Sequence, residues 1–172
     1  MACDILKGRA LPCKDSRTGI RFVDFGLYDG DVYTVSAQEI ASLPAGLTEV
    51  FRYEVKGAGN SLIETATVNN DNRTIEIVQA LALTLAKLGK ETEVELQSLL
   101  YGRVVAFIHD YNGNVKAVGI DSGLEATTGV MSTEASGYTL ALEARDNNFA
   151  PFLSSSAKTA LTALISAQVI TA

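Results

Sequence analysis

The sequence has few of the residues from which metal centres and catalytic sites are usually built. Its 172 residues include a single histidine, His109, and two cysteines, Cys3 and Cys13. A structural zinc site takes about four such ligands, and the histidine lies far from both cysteines in sequence. A disulfide is disfavoured in a reducing compartment. We therefore interpret the cysteines as two unpaired thiols and predict no metal site.

Long apolar segments are also lacking. No run is long enough to cross a bilayer, and the N-terminal MACDILKGRALPCKD has no signal-peptide core. We expect no membrane insertion and a protein made in a cytoplasm. Hydrophobic residues form 47% and charged residues 20% of the chain, which is the balance of a globular protein. The length suits one domain with a substantial core.

Enzyme motifs are missing as well. Asp110 follows His109, but no serine or cysteine lies in a nucleophile motif such as G-x-S-x-G. Residues 110–114 (DYNGN) resemble the start of a calcium loop, yet the glycine comes too early and no glutamate follows at the twelfth position. Residues 56–60 (KGAGN) lack the spacing of a phosphate-binding loop. We predict an exposed His109, no enzyme activity and no cofactor.

Basic residues are outnumbered, and many of them lie at one end of the chain. The net charge is −6. Residues 1–21 have five basic residues against Asp4 and Asp15, a balance of +3 that leaves −9 on residues 22–172: the basic residues are Lys7, Arg9, Lys14, Arg17 and Arg21. An acidic body argues against tight nucleic-acid binding. We expect the basic segment either to contact an acidic neighbour or to be a solvated tail.

Residues 74–86 (TIEIVQALALTLA) contain helix-forming leucines and alanines but alternate with a period of two. The odd positions are bulky and, except for Gln79, apolar, whereas the even positions are mostly small or polar. A period of two places the bulky side chains on one face of a strand and the small ones on the other. We therefore predict a long strand with a small-residue face.

Several other segments have the composition and turns of strands. A meander of antiparallel strands is predicted, with further strands towards the C-terminus: residues 20–28, 48–56, 61–68, 103–111, 114–120 and 137–146. Asn112-Gly113 predicts a type I′ hairpin turn. Residues 37–46 predict a short helical turn, and residues 123–137 predict an exposed excursion.

Two segments predict helices. Residues 90–101 follow a helical period, with Thr92 and Glu95 as a capping box and Gly102 as the stop. Residues 154–168 predict a terminal helix with a serine cap. The fold class is thus mainly β, a sandwich or barrel with a short helix and a C-terminal helical segment. The predicted organisation is an arm at 1–19, a β-domain at 20–153 and the helical segment at 154–172.

The order of these sequence segments resembles that in a known protein family. The opening GRALPCKDSRTGIRFVDF, the hairpin VVAFIHDYNGNVKAVGI and the stretch GLEATTGVMSTEASGYTLALEARDNNFAPFL are similar to virion proteins of tailed bacteriophages. The resemblance is to the tail-tube superfamily, particularly in phages that infect Bacteroidetes. It implies two packed β-sheets with one helix, assembled as rings, most simply hexamers, around a channel for DNA. It also implies other virion tail proteins as partners and a location in the virion tail.

The resemblance and the alternation together suggest two sets of site residues. The first set is expected to line the channel or a subunit interface: Ala80, Ala82, Thr84, Thr139, Ala141 and Glu143. The second set is expected to form contacts between stacked rings: Lys7, Arg9, Lys14, Arg17, Gly57, Gly59 and Asn60. An acidic channel would repel the genomic DNA that passes through it, so no specific binding is expected.

Three alternatives remain open at this point. The helical segment at 154–172 is more than a minimal tube protein needs, so the chain could be a ring, connector or terminator protein of a short tail. A tube protein of a contractile injection system would share the predicted fold. A small β-barrel that binds an apolar ligand is the alternative from another class.

Overall fold

A computed structural model describes residues 8–9, 14, 16–55, 59–168 and 170. These residues are mainly β and form two sheets and two helices, which confirms the predicted fold class. In chain order the elements are β1 (Ile20–Leu27), β2 (Val35–Ser36), β3 (Glu39–Ile40), β4 (Val50–Glu54), β5 (Ser61–Asn69), β6 (Thr74–Ala86), α1 (Lys90–Tyr101), β7 (Val104–Asp110), β8 (Val115–Val118), β9 (Glu125–Ser132), β10 (Gly137–Asp146), β11 (Phe152–Leu153) and α2 (Ser155–Ala163).

The strands form one large and one small sheet. The seven-stranded sheet has the order β2-β3-β11-β8-β7-β1-β4, and the four-stranded sheet has the order β5-β6-β10-β9. All pairs are antiparallel except β3 with β11. β4 and β5 follow each other in the chain but belong to different sheets, so the predicted simple meander is wrong. Alternation identifies a strand's apolar face but not the sheet that it joins.

The strand predicted at 74–86 is confirmed, because β6 covers Thr74–Ala86. Its odd positions from Ile77 to Leu83 are buried, and Gln79 is buried among them. Ile75 is an exception to the pattern. It pairs with Val68 near the tip of the β5–β6 hairpin, and both side chains are exposed.

Two cores cover three of the four sheet faces. The first lies between the sheets and includes Val23, Phe25, Leu83 and Leu140. The second lies on the opposite face of the seven-stranded sheet, where Leu161 of α2 packs near Phe107 of β7. The seven-stranded sheet is therefore covered on both faces. Among the described residues, the four-stranded sheet packs on a core through one face only, and its outer face is half-buried or exposed.

Two predicted turns have a different geometry in the structure. Residues 37–46 form no helical turn; instead Ala37 and Gln38 have φ of 51° and 63° in the tight turn that joins β2 to β3. The β7–β8 hairpin is confirmed, but its turn is not type I′. Only Gly113 has a positive φ, and its N–H donates to the Asp110 carbonyl. The Asp110 carboxylate accepts the N–H groups of Asn112 and Asn114, which favours this type I turn with a following glycine.

Residues 123–137 are only partly an exposed excursion, because Glu125–Ser132 form β9. This strand pairs with β10 on one side, and most of its residues stay exposed. Sequence alone suggested that this threonine-rich segment was a loop. It forms a strand because it can pair with the free edge of β10. Threonine and valine fit such a half-exposed strand well.

Both helices lie where the sequence predicted them, although the cap of α1 and the end of α2 differ from the prediction. The N-cap of α1 is Gly89, so the predicted capping box at Thr92 is wrong. The Tyr138 hydroxyl supports this helix start instead, since it accepts the Gly89 N–H at 3.1 Å and lies 3.2 Å from the Glu93 carboxylate. Helix α2 ends at Ala163, well short of residue 168, and Ser154 caps it by accepting the Ala157 N–H.

Candidate assembly surface

The outer face of the four-stranded sheet brings the first set of predicted site residues together. β6 and β10 are its two central strands, and three pairs of the set lie directly opposite each other. These six residues, which we call the small-residue face, pair as Ala80 with Glu143, Ala82 with Ala141 and Thr84 with Thr139. They are half-buried or exposed, whereas the alternate residues of both strands point into the core. The centre of the face is flat because its side chains are short.

An apolar side chain flanks this flat centre on each edge strand. Ile63 of β5 lies opposite Ala80 and is 60% exposed. Val130 of β9 lies opposite Thr139 and is 56% exposed. Single exposed apolar residues are common on monomers. Here, however, two of them border a flat strip of small residues, which is a favourable arrangement for close packing of another surface.

Both edges of the four-stranded sheet are open within the described part of the chain. β5 and β9 each pair with one neighbour only. The seven-stranded sheet differs at its β4 edge, where the C-terminal segment covers Val50. The Val50 N–H donates to the Leu164 carbonyl at 3.0 Å, and the Ser166 N–H donates to the Val50 carbonyl at 2.8 Å. Open edges present unpaired backbone groups that can pair with another chain.

Charges on the outer face are mixed, with more acidic than basic groups. Arg145 forms ion pairs with Glu76 and Glu143, and Arg103 forms one with Glu125. The side chains in these pairs are between one-third and two-thirds exposed. Exposed ion pairs contribute little to stability, about 0–1 kcal/mol each. Their main effect is to give the rim of the face a slightly negative charge.

The second set of predicted site residues does not lie in one place, and two of its members lie outside the described residues. Lys7 and Gly57 lie outside the described residues. Arg9, Lys14 and Arg17 are exposed, and none of them forms an ion pair with another described residue. The backbone of Arg17 is nevertheless fixed to the β7–β8 turn, since its N–H and carbonyl both bond to the Asn112 side chain at 2.8 Å.

Gly59 and Asn60 both lie beside Thr84, at the end of the small-residue face. Asn60 is buried, and its side-chain oxygen accepts the Thr84 N–H at 2.8 Å. Within the subunit the Asn60 side chain is therefore engaged with β6, and its contact between stacked rings stays a prediction. A side chain on Gly59 would place its Cβ 2.5 Å from Thr84 Oγ1, so glycine allows the loop to approach β6 closely. Gly59 and Asn60 of the second predicted set therefore contact Thr84 of the first set.

A buried ionic cluster was not predicted. Asp24 is fully buried and accepts hydrogen bonds from Arg52 Nε and Nη2, each at 2.7 Å. His109 Nε2 lies 2.7 Å from the same carboxylate, and its side chain is only 16% exposed, so the prediction of an exposed histidine is wrong. The arginine and histidine also contact the Phe22 ring. The cluster links β1, β4 and β7 on the outer face of the seven-stranded sheet.

Opposing effects act on the pKa of Asp24. Burial alone would raise it, but the hydrogen bonds from Arg52 and His109 and their charges outweigh burial and hold the pKa below its usual value. Both carboxylate oxygens are engaged by these partners. The arrangement is therefore suited to holding three strands together. The sequence signal for it is a single acidic residue within the apolar strand IRFVDFGL.

Comparisons with known proteins do not assign the chain. It matches no protein-family model, no curated protein sequence and no solved structure. Within the described residues, no group of three or more histidine, cysteine, aspartate or glutamate side chains could hold a metal ion. No described helix is long and apolar enough to span a membrane.

Proposed function

We propose that this protein is a structural protein of a bacteriophage tail that assembles with copies of itself into rings or a tube around a channel for DNA. The observation that carries this proposal is the four-stranded sheet, with two open edges and a flat outer face of small residues. The resemblance of the sequence to tail-tube proteins points in the same direction. Six copies per ring are the expected number for that family.

The two open edges differ from each other, which favours ring formation. In a head-to-tail arrangement, β5 of one copy pairs with β9 of the next, and a closed ring leaves neither edge of the four-stranded sheet exposed. The four-stranded sheets then form one continuous surface around the ring. Ile63 and Val130 are the exposed apolar residues that this pairing brings to the junction between copies.

Electrostatics is compatible with a channel that conducts DNA without holding it. The chain carries a net charge of −6, and the rim of the small-residue face has more carboxylates than cations. Tight binding of DNA depends on clustered lysine and arginine, which neutralise phosphates and release counterions. A negative or neutral channel wall lets the genome slide.

The ligand-binding alternative receives less support from the fold. The described strands form two separate sheets and not one closed barrel, and large side chains of both sheets pack between them. Tube, ring, connector and terminator proteins, and tubes of contractile injection systems, would all use the sheet edges described above. The genes that surround this one would distinguish among them.

The replacement Ile63→Lys tests the proposed interface. It places a charge on the exposed side of β5, so we expect a stable monomer that no longer forms rings. The matched control is Val32→Lys, because Val32 is even more exposed but lies outside both sheets. Light scattering after size-exclusion chromatography gives the mass, and negative-stain electron microscopy shows the rings. Loss of assembly in both variants, or in neither, contradicts pairing through β5.

A further inference from the structure

A groove of about 260 Å³ lies between helix α1 and strand β9, and we call it the α1–β9 groove. Its lining is mainly apolar and includes Leu96 and Leu100 of α1 and Met131 of β9. A Cβ on Gly129 would lie 2.8 Å from Leu100 Cδ2, so glycine allows the helix to lie close to the strand. Leu100 and Met131 are both exposed, and the groove is open to solvent in the described part of the chain.

A second exposed apolar feature lies at the end of the β5–β6 hairpin. Val68 and Ile75 pair across the hairpin and are 59% and 64% exposed. β10 accompanies β6 only as far as Ile77, so beyond that point the hairpin continues as two strands alone. Such a two-stranded ribbon is marginally stable in water, and a surface that covers the apolar pair would stabilise it. We call residues 68–75 the hairpin tip.

The hairpin tip and the groove lie at opposite ends of the same face of the four-stranded sheet. Ile75 lies near the start of β6, whereas Tyr138, which lines the groove, pairs with Leu85 near the end of β6. The stretch of β6 between Ile75 and Leu85 spans roughly 30 Å, at about 3.3 Å per residue. The tip therefore cannot reach the groove of its own chain. It can reach the groove of a second copy that is displaced along the strand direction.

The two surfaces also carry complementary charges. Arg73 is exposed at the hairpin tip, and Glu93 is exposed on the lining of the groove. Neither forms an ion pair with another described residue, although the Glu93 carboxylate lies 3.2 Å from the Tyr138 hydroxyl. Asp71 carries the opposite charge at the same tip, so pairing of Arg73 with Glu93 orients the contact more than it strengthens it.

We propose that the hairpin tip of one copy docks in the α1–β9 groove of a second copy, with Val68 and Ile75 on its apolar walls and Arg73 beside Glu93. The contact is head-to-tail, because the two surfaces differ and lie at opposite ends of the sheet. Its repetition therefore builds a stack along the strand direction. Pairing of β5 with β9 runs across the strands instead. As an account of how rings stack, the inference rests on the proposed function, but the docking contact itself requires no ring.

Sedimentation equilibrium of chains that carry Ile63→Lys tests docking without ring formation. One small contact is weak, so this chain is monomeric at chromatographic concentrations, and we expect its mean mass to rise only towards about 1 mM. Adding Ile75→Asp at the tip or Met131→Asp in the groove should abolish the rise. The matched control is Val94→Asp, because Val94 is as exposed as Met131 and belongs to α1 but does not line the groove. It should leave the rise unchanged.

A mixture of the two altered chains tests whether docking is head-to-tail. The Ile75→Asp chain keeps an intact groove, and the Met131→Asp chain keeps an intact tip. An equimolar mixture should therefore form pairs and stop at twice the monomer mass, although neither chain associates alone. A mixture that stays monomeric, or an Ile75→Asp chain that associates as well as the Val94→Asp control, overturns the proposal.

A charge exchange tests the orientation of the contact. Arg73→Glu should weaken the association several-fold, and adding Glu93→Arg to the same chain should restore part of it. Lack of restoration overturns the pairing of Arg73 with Glu93. All these chains lack ring pairing, so a failure of docking would leave assembly through β5 and β9 unaffected. Absence of rings from the unchanged chain would likewise leave docking unaffected.

Discussion

The replacement Asp24→Asn should strongly destabilise the fold. The carboxylate is fully buried and receives three bonds of 2.7 Å from Arg52 and His109, while the Arg52 side chain is 25% exposed. Removing one partner of a buried ion pair costs about 3–5 kcal/mol, and the partial exposure of Arg52 places this case near the lower figure. A loss of about 3 kcal/mol is a large part of the about 5–15 kcal/mol that holds a typical domain together.

Urea unfolding followed by circular dichroism measures this loss as a lower transition midpoint with an unchanged slope. The double variant Asp24→Asn with Arg52→Met is the control. Because the two side chains act as a unit, the double variant should lose clearly less than the sum of the two single losses. Single losses below about 1 kcal/mol, or strictly additive losses, would show that the cluster does not link the strands as described.

The pH dependence of stability follows from the lowered pKa of Asp24. Its pKa in the folded state lies below the value of about 3.9 in an unfolded chain. The stabilisation is therefore fully present above about pH 5 and is lost as the pH falls through the folded-state pKa. We expect Asp24→Asn to flatten the acid side of the stability curve. An acid limb identical to that of the unchanged chain would refute this reasoning.

Two further predictions concern single residues. His109→Ala removes a hydrogen bond to a buried carboxylate and should reduce the free energy of unfolding by about 1–3 kcal/mol. Assembly should be unaffected, because His109 lies away from the small-residue face. Loss of rings in a folded His109→Ala variant would contradict this prediction. Gly59→Ala should destabilise by about 1–3 kcal/mol because its Cβ meets Thr84 Oγ1, and adding Thr84→Ala should restore part of the loss. If urea unfolding shows no recovery of stability in the double variant, the contact with Thr84 Oγ1 is not the cause of the loss.

The small-residue face is the part of the candidate site that sequence could predict. Alternation places Ala80, Ala82 and Thr84 on one side of β6, and the same rule applies to Thr139 and Ala141 on β10. Pairing of the two strands then brings both rows together in register. A strict period of two over many residues is a strong local signal, and it outweighed the helix propensity of leucine and alanine.

The features that sequence could not predict depend on contacts between distant segments. Asp24 meets His109 from a strand far along the chain, and the tyrosine that supports the start of α1 comes from β10. The cavity lined by Gln79, Asp121 and Asp146 likewise combines residues that lie far apart in sequence. Such contacts depend on which strands pair, and a single sequence does not determine that pairing. Only isolated signals, such as Asp24 or Gln79 within apolar strands, point to them.

Electron cryo-microscopy of the purified protein tests the central claim most directly, because it shows both the assembly and the sheet edges. We predict closed rings, most simply sixfold, in which β5 of one copy lies beside β9 of the next and the small-residue faces form a continuous surface. Particles that remain monomeric at high protein concentration would contradict the claim. Rings in which both β5 and β9 keep their outer edges exposed to solvent would contradict it equally.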